Sequence, residues 1–220
     1  MLDAFIKGWH TLNNKSRLKL IESLLGDENF FRFEFCFYDE GRVTTGITRL
    51  KEDYEKISAE IDFVQQTSAD SEETAERLNF LYHRQLEVLE AIAFQLSQRL
   101  EKVPACLDLL RGLKRDFSIC LEGLSEYQKG NVEVARQHFE KYLVKYGDFG
   151  AHYQLNKIYG RIELNAKDYV KAKIFLQRVT QICPEDAEIH QWLVEIYSCL
   201  NDSKAAKIHH DIAKLLEEKK

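Results

Sequence analysis

Apolar residues recur at three- and four-residue steps along most of the chain, which is the pattern of amphipathic helices. Residues 47–66 carry them at Ile47, Leu50, Tyr54, Ile57, Ile61 and Val64. Residues 71–102 carry them at Leu78, Leu81, Leu89, Ile92, Leu96 and Leu100. Because only a short polar break separates the two runs, they predict two long helices that pair as an antiparallel hairpin. A further helix is expected to begin at Pro104, since proline is tolerated in a first turn.

One segment has a different period. Phenylalanine occupies positions 31, 33, 35 and 37, and Arg32, Glu34 and Cys36 stand between them. A period of two is typical of a β-strand, and the turn residues at 39–41 lead into a second short run, Arg42–Thr45. The pattern predicts a small β-hairpin near residues 31–45, and a helix or an irregular aromatic plug is the alternative.

The second half of the chain repeats itself at intervals of 37 and then 34 residues. The copies align on Ala135, Ala172 and Ala206, with Gly123, Gly160 or Val194 twelve residues earlier and Phe139, Leu176 or His210 four residues later. Gly130-Asn131 and Asn201-Asp202 stand at a common position and supply turn residues. This spacing predicts a helix, a tight turn and an antiparallel helix in each copy, and the small residues let the two helices approach closely.

The pattern resembles the tetratricopeptide repeat, whose 34-residue consensus is W-x2-L-G-x2-Y…A-x3-F…P. The matching residues are Gly123, Ala135 and Phe139 in the first copy, Gly160, Ala172 and Pro184 in the second, and Leu193, Tyr197, Ala206 and Ala213 in the third. The resemblance implies three repeats, at 116–149, 153–186 and 187–220, that form a short α-solenoid. Residues 1–115 are then a helical N-terminal region, and the expected fold class is all-α apart from the small hairpin.

Members of this family bind an extended peptide or a partner helix in a groove lined by the first helix of each pair. By register, the resemblance places these residues in the groove: Phe117, Leu124 and Tyr127 in the first copy, Gln154, Lys157 and Arg161 in the second, and Gln191 and Glu195 in the third. The implied function is a non-catalytic adaptor or scaffold that binds a partner protein or peptide. Lys157 and Arg161 are expected to pair with an acidic side chain or a C-terminal carboxylate. The alternative is that the apolar residues of the first copy pack internally and leave little groove open.

Some repeat proteins of this family hold the acidic C-terminal tails of heat-shock chaperones with a clamp of Lys, Asn and Arg side chains. The matching positions here are Cys120, Leu124, Ile158, Glu188 and Trp192. None of the five keeps the clamp residue, so the resemblance does not extend to binding of such tails.

The charge balance bears on the kind of partner. The chain has 31 Lys+Arg against 36 Asp+Glu, a net charge of −5, and neither half is basic, so nucleic acid is not expected as a partner. No run approaches the roughly 20 apolar residues of a membrane span, and residues 1–17 do not have the pattern of a secretory signal. We expect a cytoplasmic protein without membrane insertion. The predicted helix 71–102 carries many charged residues, which is typical of a helix exposed to solvent. The alternative is that the chain forms a homodimer through the hairpin of residues 47–102.

No pattern points to catalysis, a cofactor or a metal site, so we expect a non-catalytic protein without a cofactor or a bound metal. Adjacent histidines such as His209 and His210 point about 100° apart on a helix and share a metal poorly. His210 stands where the repeat has a packed phenylalanine, so a core role is expected. The five cysteines are scattered and are expected to be free thiols. No phosphate-binding glycine loop or nucleophile elbow occurs.

Two other functions remain open at this level. Cytosolic chaperones of bacterial type III secretion are similar in having an N-terminal helical part, three such repeats and an acidic charge balance, although this chain is longer. A ligand-sensing helical protein, in which the phenylalanine-rich segment closes an apolar pocket, is the other alternative.

Overall fold

The computed structural model describes residue 19 and residues 40–67, 71–113 and 115–218. In this part the chain forms one 3-10 helix (Leu100–Lys102) and the α-helices α1 (Glu40–Thr67), α2 (Glu72–Leu96), α3 (Val103–Leu109), α4 (Phe117–Gln128), α5 (Val132–Tyr146), α6 (Tyr153–Asn165), α7 (Tyr169–Ile182), α8 (Ala187–Cys199) and α9 (Ser203–Glu217). The described residues divide into two compact units, one that ends at Leu121 and one that begins at Glu122, within α4. The expectation of an all-α fold is confirmed for these residues.

In the first unit, α1 and α2 pack against each other. Their chain directions are opposite, because Gln65 bonds to Tyr82 at 2.8 Å while the earlier Ser58 accepts from the later Gln85 at 2.7 Å. The N-terminus of α2 is capped by Ser71, whose Oγ accepts the N–H of Thr74 at 3.1 Å. The two helices therefore form an antiparallel hairpin.

Two sequence predictions for this unit are wrong. The second helix ends at Leu96 rather than at 102, because Arg99 adopts an extended conformation (φ −109°, ψ 118°) before the chain enters the 3-10 helix. Residues Arg42–Thr45, predicted as the second strand of a hairpin, belong to α1. Once α1 has nucleated, adding residues 42–45 to its N-terminal end is favourable, which explains why they are helical and do not form a strand. The first predicted strand, at residues 31–37, lies outside the described residues.

Residues 117–217 form three consecutive helix pairs, α4–α5, α6–α7 and α8–α9. The turn within each pair has one backbone conformation, since the aligned residues Gly130, Lys167 and Asn201 have positive φ angles of 84°, 62° and 60°. The amide of the following residue donates to a carbonyl five residues back, at 2.8–2.9 Å, in every pair: Asn131 to Glu126, Asp168 to Glu163 and Asp202 to Tyr197. This is the Schellman arrangement, which ends a helix on a left-handed residue. The three copies thus share a turn geometry at the position where their sequences align.

Glycine allows the two helices of a pair to approach closely. A Cβ atom on Gly123 would lie 2.5 Å from Cε1 of Phe139, and one on Gly160 would lie 2.7 Å from Cδ2 of Leu176. In the third pair Val194 takes the glycine position, so this pair lacks the glycine that Phe139 and Leu176 approach in the other pairs. His210, the aligned residue, is exposed. The prediction of a core role for His210 is wrong for this reason.

Replacing Gly123 by alanine is expected to lower the free energy of unfolding by about 1–2 kcal/mol. Alanine gains about 1 kcal/mol of helix propensity, but overpacking costs roughly 1–3 kcal/mol or more. The ring of Phe139 cannot move aside, because it is fully buried and packs edge-on against Phe149 and Tyr159. Urea unfolding followed by circular dichroism measures the change. Adding Phe139→Leu should reduce the penalty of the alanine, and a Gly123→Ala variant at least as stable as the wild type would contradict this packing.

The core of the last two pairs places α6 beside the start of α8. Leu176 and Val179 of α7 lie in one buried cluster with Ile189 and Leu193 of α8, and α6 also contacts α8. Asp186 caps α8 with its Oδ1, which accepts the N–H of Glu188 at 3.1 Å. Residues near 153–161 are thereby brought next to residues near 186–192.

Candidate functional site

The apolar end of the predicted groove is not exposed. Phe117 and Leu124 are buried, with 3% and 0% of their surface accessible. The ring of Phe117 packs against Phe94 with the centroids 5.4 Å apart, and Tyr127 is half-buried. Neither Phe117 nor Leu124 is available to a partner in this structure, which corrects that part of the predicted groove. The reason is that α4 uses these side chains for packing within the protein.

The second copy presents its three predicted residues on one face of α6. Gln154, Lys157 and Arg161 are spaced by three and four residues, so they lie along the same side of the helix, and all three are half-buried. The helix begins after His152, whose Nδ1 accepts the N–H of Leu155 at 3.2 Å. This buried histidine takes the capping role that Ser, Thr, Asp or Asn usually has.

Lys157 is held by groups of its own protein. Its Nζ donates to Oδ2 of Asp186 at 2.9 Å, lies 2.9 Å from Oε2 of Glu188, and donates to Oη of Tyr153 at 3.1 Å. The hydroxyl of Tyr153 also donates to Oδ2 of Asp186, at 2.5 Å. An ammonium group has three N–H donors, and these three oxygens account for them. The expectation that Lys157 pairs with a partner's carboxylate is therefore not favoured by this geometry.

The electrostatics of the cluster agree with a fixed ion pair. Burial alone would lower the pKa of Lys157, but its hydrogen bonds to Asp186, Glu188 and Tyr153 outweigh burial and hold that pKa above its usual value. Burial alone would raise the pKa of Asp186, but the hydrogen bonds from Tyr153 and Lys157 lower it below its usual value. Burial and the bond to Asp186 raise the pKa of Tyr153. The lysine, the tyrosine and the carboxylate thus keep their ordinary protonation states at neutral pH.

Arg161 is in a different situation one turn further along α6. Its guanidinium carbon lies 4.6 Å from the ring centroid of Trp192, a half-buried side chain on α8. The Nζ of Lys157 is 5.6 Å from the same ring. Such cation–π contacts stabilise by about 0.5–2 kcal/mol. Among the residues that the structure describes, no carboxylate lies within ion-pair distance of Arg161, so it is the cation of this face whose charge is not balanced. We call Lys157, Arg161 and Trp192 the cation–tryptophan cluster.

The third copy contributes residues on α8 that sequence reasoning placed only in part. Gln191 is exposed and donates from Nε2 to Oε1 of Glu217 at 2.5 Å. Glu195 is exposed, and no cation among the described residues lies within ion-pair distance of its carboxylate. Trp192 was not among the predicted groove residues. Its position aligns with Ile158, which is buried. The change from isoleucine to tryptophan at this aligned position is the sequence signal that could have identified it.

A second cluster joins α8 to α9. The Nδ1 atoms of His190 and His209 are 2.9 Å apart, and Nε2 of His190 is 2.9 Å from the carbonyl oxygen of Pro184. A neutral His190 that donates from Nε2 to this carbonyl accepts at Nδ1, which assigns the donor role to Nδ1 of His209. Burial and the neighbouring His190 lower the pKa of His209. The pair therefore links the two helices, although the two histidines lie 19 residues apart in sequence.

The described ranges, 40–67, 71–113 and 115–218, contain no group of three His, Cys, Asp or Glu side chains placed to hold a metal ion. The cysteines in these ranges are free thiols: Cys106, Cys120 and Cys183 are buried and Cys199 is exposed. Cys36 lies outside them. None of the helices described is long and apolar enough to cross a membrane.

Comparisons with known proteins add no identity to this picture. No protein-family model, no curated protein and no solved structure matches the chain significantly. The functional argument therefore depends on the geometry of the second unit.

Proposed function

We propose that this protein is a non-catalytic adaptor that binds a partner protein or peptide along the first helices of its helix pairs. In this proposal, α4–α9 are three tetratricopeptide-like repeats stacked as a short solenoid in a cytoplasmic protein. The shared turn geometry at Gly130, Lys167 and Asn201 supports the repeat register. The close approach at Gly123 and Gly160 supports it as well, because it repeats at the aligned position.

The observation that carries the binding proposal is the cation–tryptophan cluster. A half-buried tryptophan beside an arginine without a paired acid is typical of interaction surfaces, where Trp and Arg are enriched among the residues that contribute most affinity. Both side chains belong to first helices, α6 and α8. The proposed binding surface differs from the groove expected from the sequence. Its residues come from the second and third copies, whereas Phe117 and Leu124 of the first copy are buried.

Site-specific photo-crosslinking tests the proposal. A benzoylphenylalanine residue replaces Glu195 on α8, Gln154 on α6 or, as the matched control, Lys141 on the second helix α5; Glu195 and Lys141 are exposed. We expect the first two positions to form an adduct with the same partner protein in extract of the source cells, and Lys141 to form none. Equal labelling at all three positions, or no adduct at any of them, would contradict binding along the first helices.

A further inference from the structure

The first helices of the three pairs carry few cations. In the described parts of α4, α6 and α8, the sequence places only Lys157 and Arg161. Lys157 is neutralised by Asp186 and Glu188 at 2.9 Å each. This leaves Arg161 as the cation of that surface with a charge available to a ligand.

The cation–π contact with Trp192 favours one kind of ligand contact for Arg161. A guanidinium group is planar, and its N–H donors lie in its plane. The indole ring, whose centroid lies 4.6 Å from the guanidinium carbon, attracts the positive charge but takes up none of these donors as a conventional hydrogen-bond acceptor, so they can form two parallel hydrogen bonds to a ligand. Carboxylates match this fork, and such charge-assisted pairs are about twice as strong as neutral hydrogen bonds. The contact with Trp192 also reduces the conformational freedom that arginine would lose on binding.

The surrounding charges limit the ligand to a single negative charge. Glu188 and Glu195 stand four residues before and three residues after Trp192, so they lie on the same side of α8 as the indole. Glu188 already shares Lys157, and Glu195 is exposed. A phosphate group, with a charge near −2 at neutral pH, would meet more repulsion here than a carboxylate.

We propose that Arg161 and Trp192 together recognise one aspartate or glutamate side chain in an extended segment of a protein partner, with an apolar residue of that segment covering the indole. The assignment depends on the proposed function and narrows it to an acidic, non-phosphorylated peptide. It differs from the joint use of Lys157 and Arg161 expected from the sequence, since the ammonium group of Lys157 is occupied by the protein.

Selection from a displayed library of random linear peptides tests this directly. The wild-type protein is expected to enrich peptides with Asp or Glu at one fixed position beside an apolar or aromatic residue. The Arg161→Glu variant is expected to select Lys or Arg at that position instead. Lys207→Glu makes the same change of charge on an exposed residue of α9, and this matched control should select the same peptides as the wild type.

Synthetic copies of a selected peptide give the affinity. Arg161→Gln should weaken binding about 10- to 100-fold, in keeping with the loss of a charge-assisted pair. Arg161→Lys should recover only part of it, because an ammonium group lacks the fork. Replacing the selected acid by phosphoserine should also weaken binding.

The outcomes separate the two proposals. Peptides that are selected by the wild type without an acid preference, or that bind Arg161→Glu equally well, overturn the role of Arg161 while the adaptor function stands. Tighter binding of the phosphoserine peptide overturns the preference for a single charge. A wild-type protein that is folded by circular dichroism and selects no peptide contradicts the recognition of extended peptides and this inference with it.

Discussion

Replacing Asp186 by alanine is expected to lower the free energy of unfolding of the second unit by about 2–4 kcal/mol. The change removes the cap of α8, which contributes about 1 kcal/mol. It also leaves Lys157 and Tyr153 without the acceptor that both share at Oδ2, and removing one partner of a buried ion pair costs roughly 3–5 kcal/mol. The expected loss lies below the usual cost of breaking a buried ion pair because 21% of the Lys157 side chain is exposed and Lys157 keeps its contact with Glu188.

Asp202→Ala is the matched control. Asp202 caps α9 in the same way, with Oδ1 accepting the N–H of Ala205 at 3.0 Å, but it is exposed and no lysine of the described residues lies within ion-pair distance of its carboxylate. Its loss should therefore amount to about 1 kcal/mol. Urea unfolding followed by the fluorescence of Trp192, in a Trp9→Phe background, measures both variants. Equal losses for the two substitutions would show that the pair with Lys157 adds no stability.

The second unit is also expected to lose stability on mild acidification because of His152. This side chain is fully buried, and burial lowers its pKa to about 3. The unfolded chain takes up a proton near pH 6.5, whereas the folded protein does not until far lower pH. The stabilisation is therefore complete above pH 6.5 and is lost as the pH falls toward 3. Between pH 7 and pH 5 the loss is expected to be about 2 kcal/mol.

A His152→Asn variant isolates this contribution. Asparagine retains a side-chain oxygen that can accept the N–H of Leu155, now bonded to Nδ1, but it does not titrate. The variant is expected to be less stable than the wild type at pH 7, because its side chain is smaller, and to lose about 2 kcal/mol less between pH 7 and pH 5. All other side chains, including those of His190 and His209, are the same in both proteins, so their contributions cancel in the comparison. Parallel stability curves for the two proteins would rule out a buried neutral His152.

Local patterns in the sequence predicted the helix pairs well because turns and close helix contacts depend on short spacings. The left-handed turn residues follow from Gly130 and Asn201, whose types tolerate positive φ, and Lys167 adopts the same conformation at 62° because the repeat imposes it. Gly123 and Gly160 marked the close helix approaches. The extent of α2 was not predictable in the same way, since its apolar periodicity continues to Leu100 although the helix ends at Leu96.

The candidate site was predicted only in part, because its interactions join distant parts of the chain. The spacing of Lys157 and Arg161 correctly placed both on one face of α6. The sequence could not show that Lys157 is paired and Arg161 is not. Asp186 lies 29 residues beyond Lys157, and its carboxylate approaches Lys157 only because Asp186 stands at the N-cap of α8. The sequence marked Trp192 only as a position without the clamp cation, and its contact with Arg161 was missed for the same reason, because that contact comes from the approach of α8 to α6.

By itself the sequence determined that the second half consists of paired helices with a shared turn, since side-chain size and turn preference act over a few residues. The tertiary structure alone decided which side chains of these helices are exposed. Packing buries Phe117 and Leu124, His210 is exposed although the aligned Phe139 and Leu176 are buried, and Asp186 at the cap of α8 pairs with Lys157. Burial and ion pairing depend on which helix lies beside which, and no local spacing along the chain specifies that.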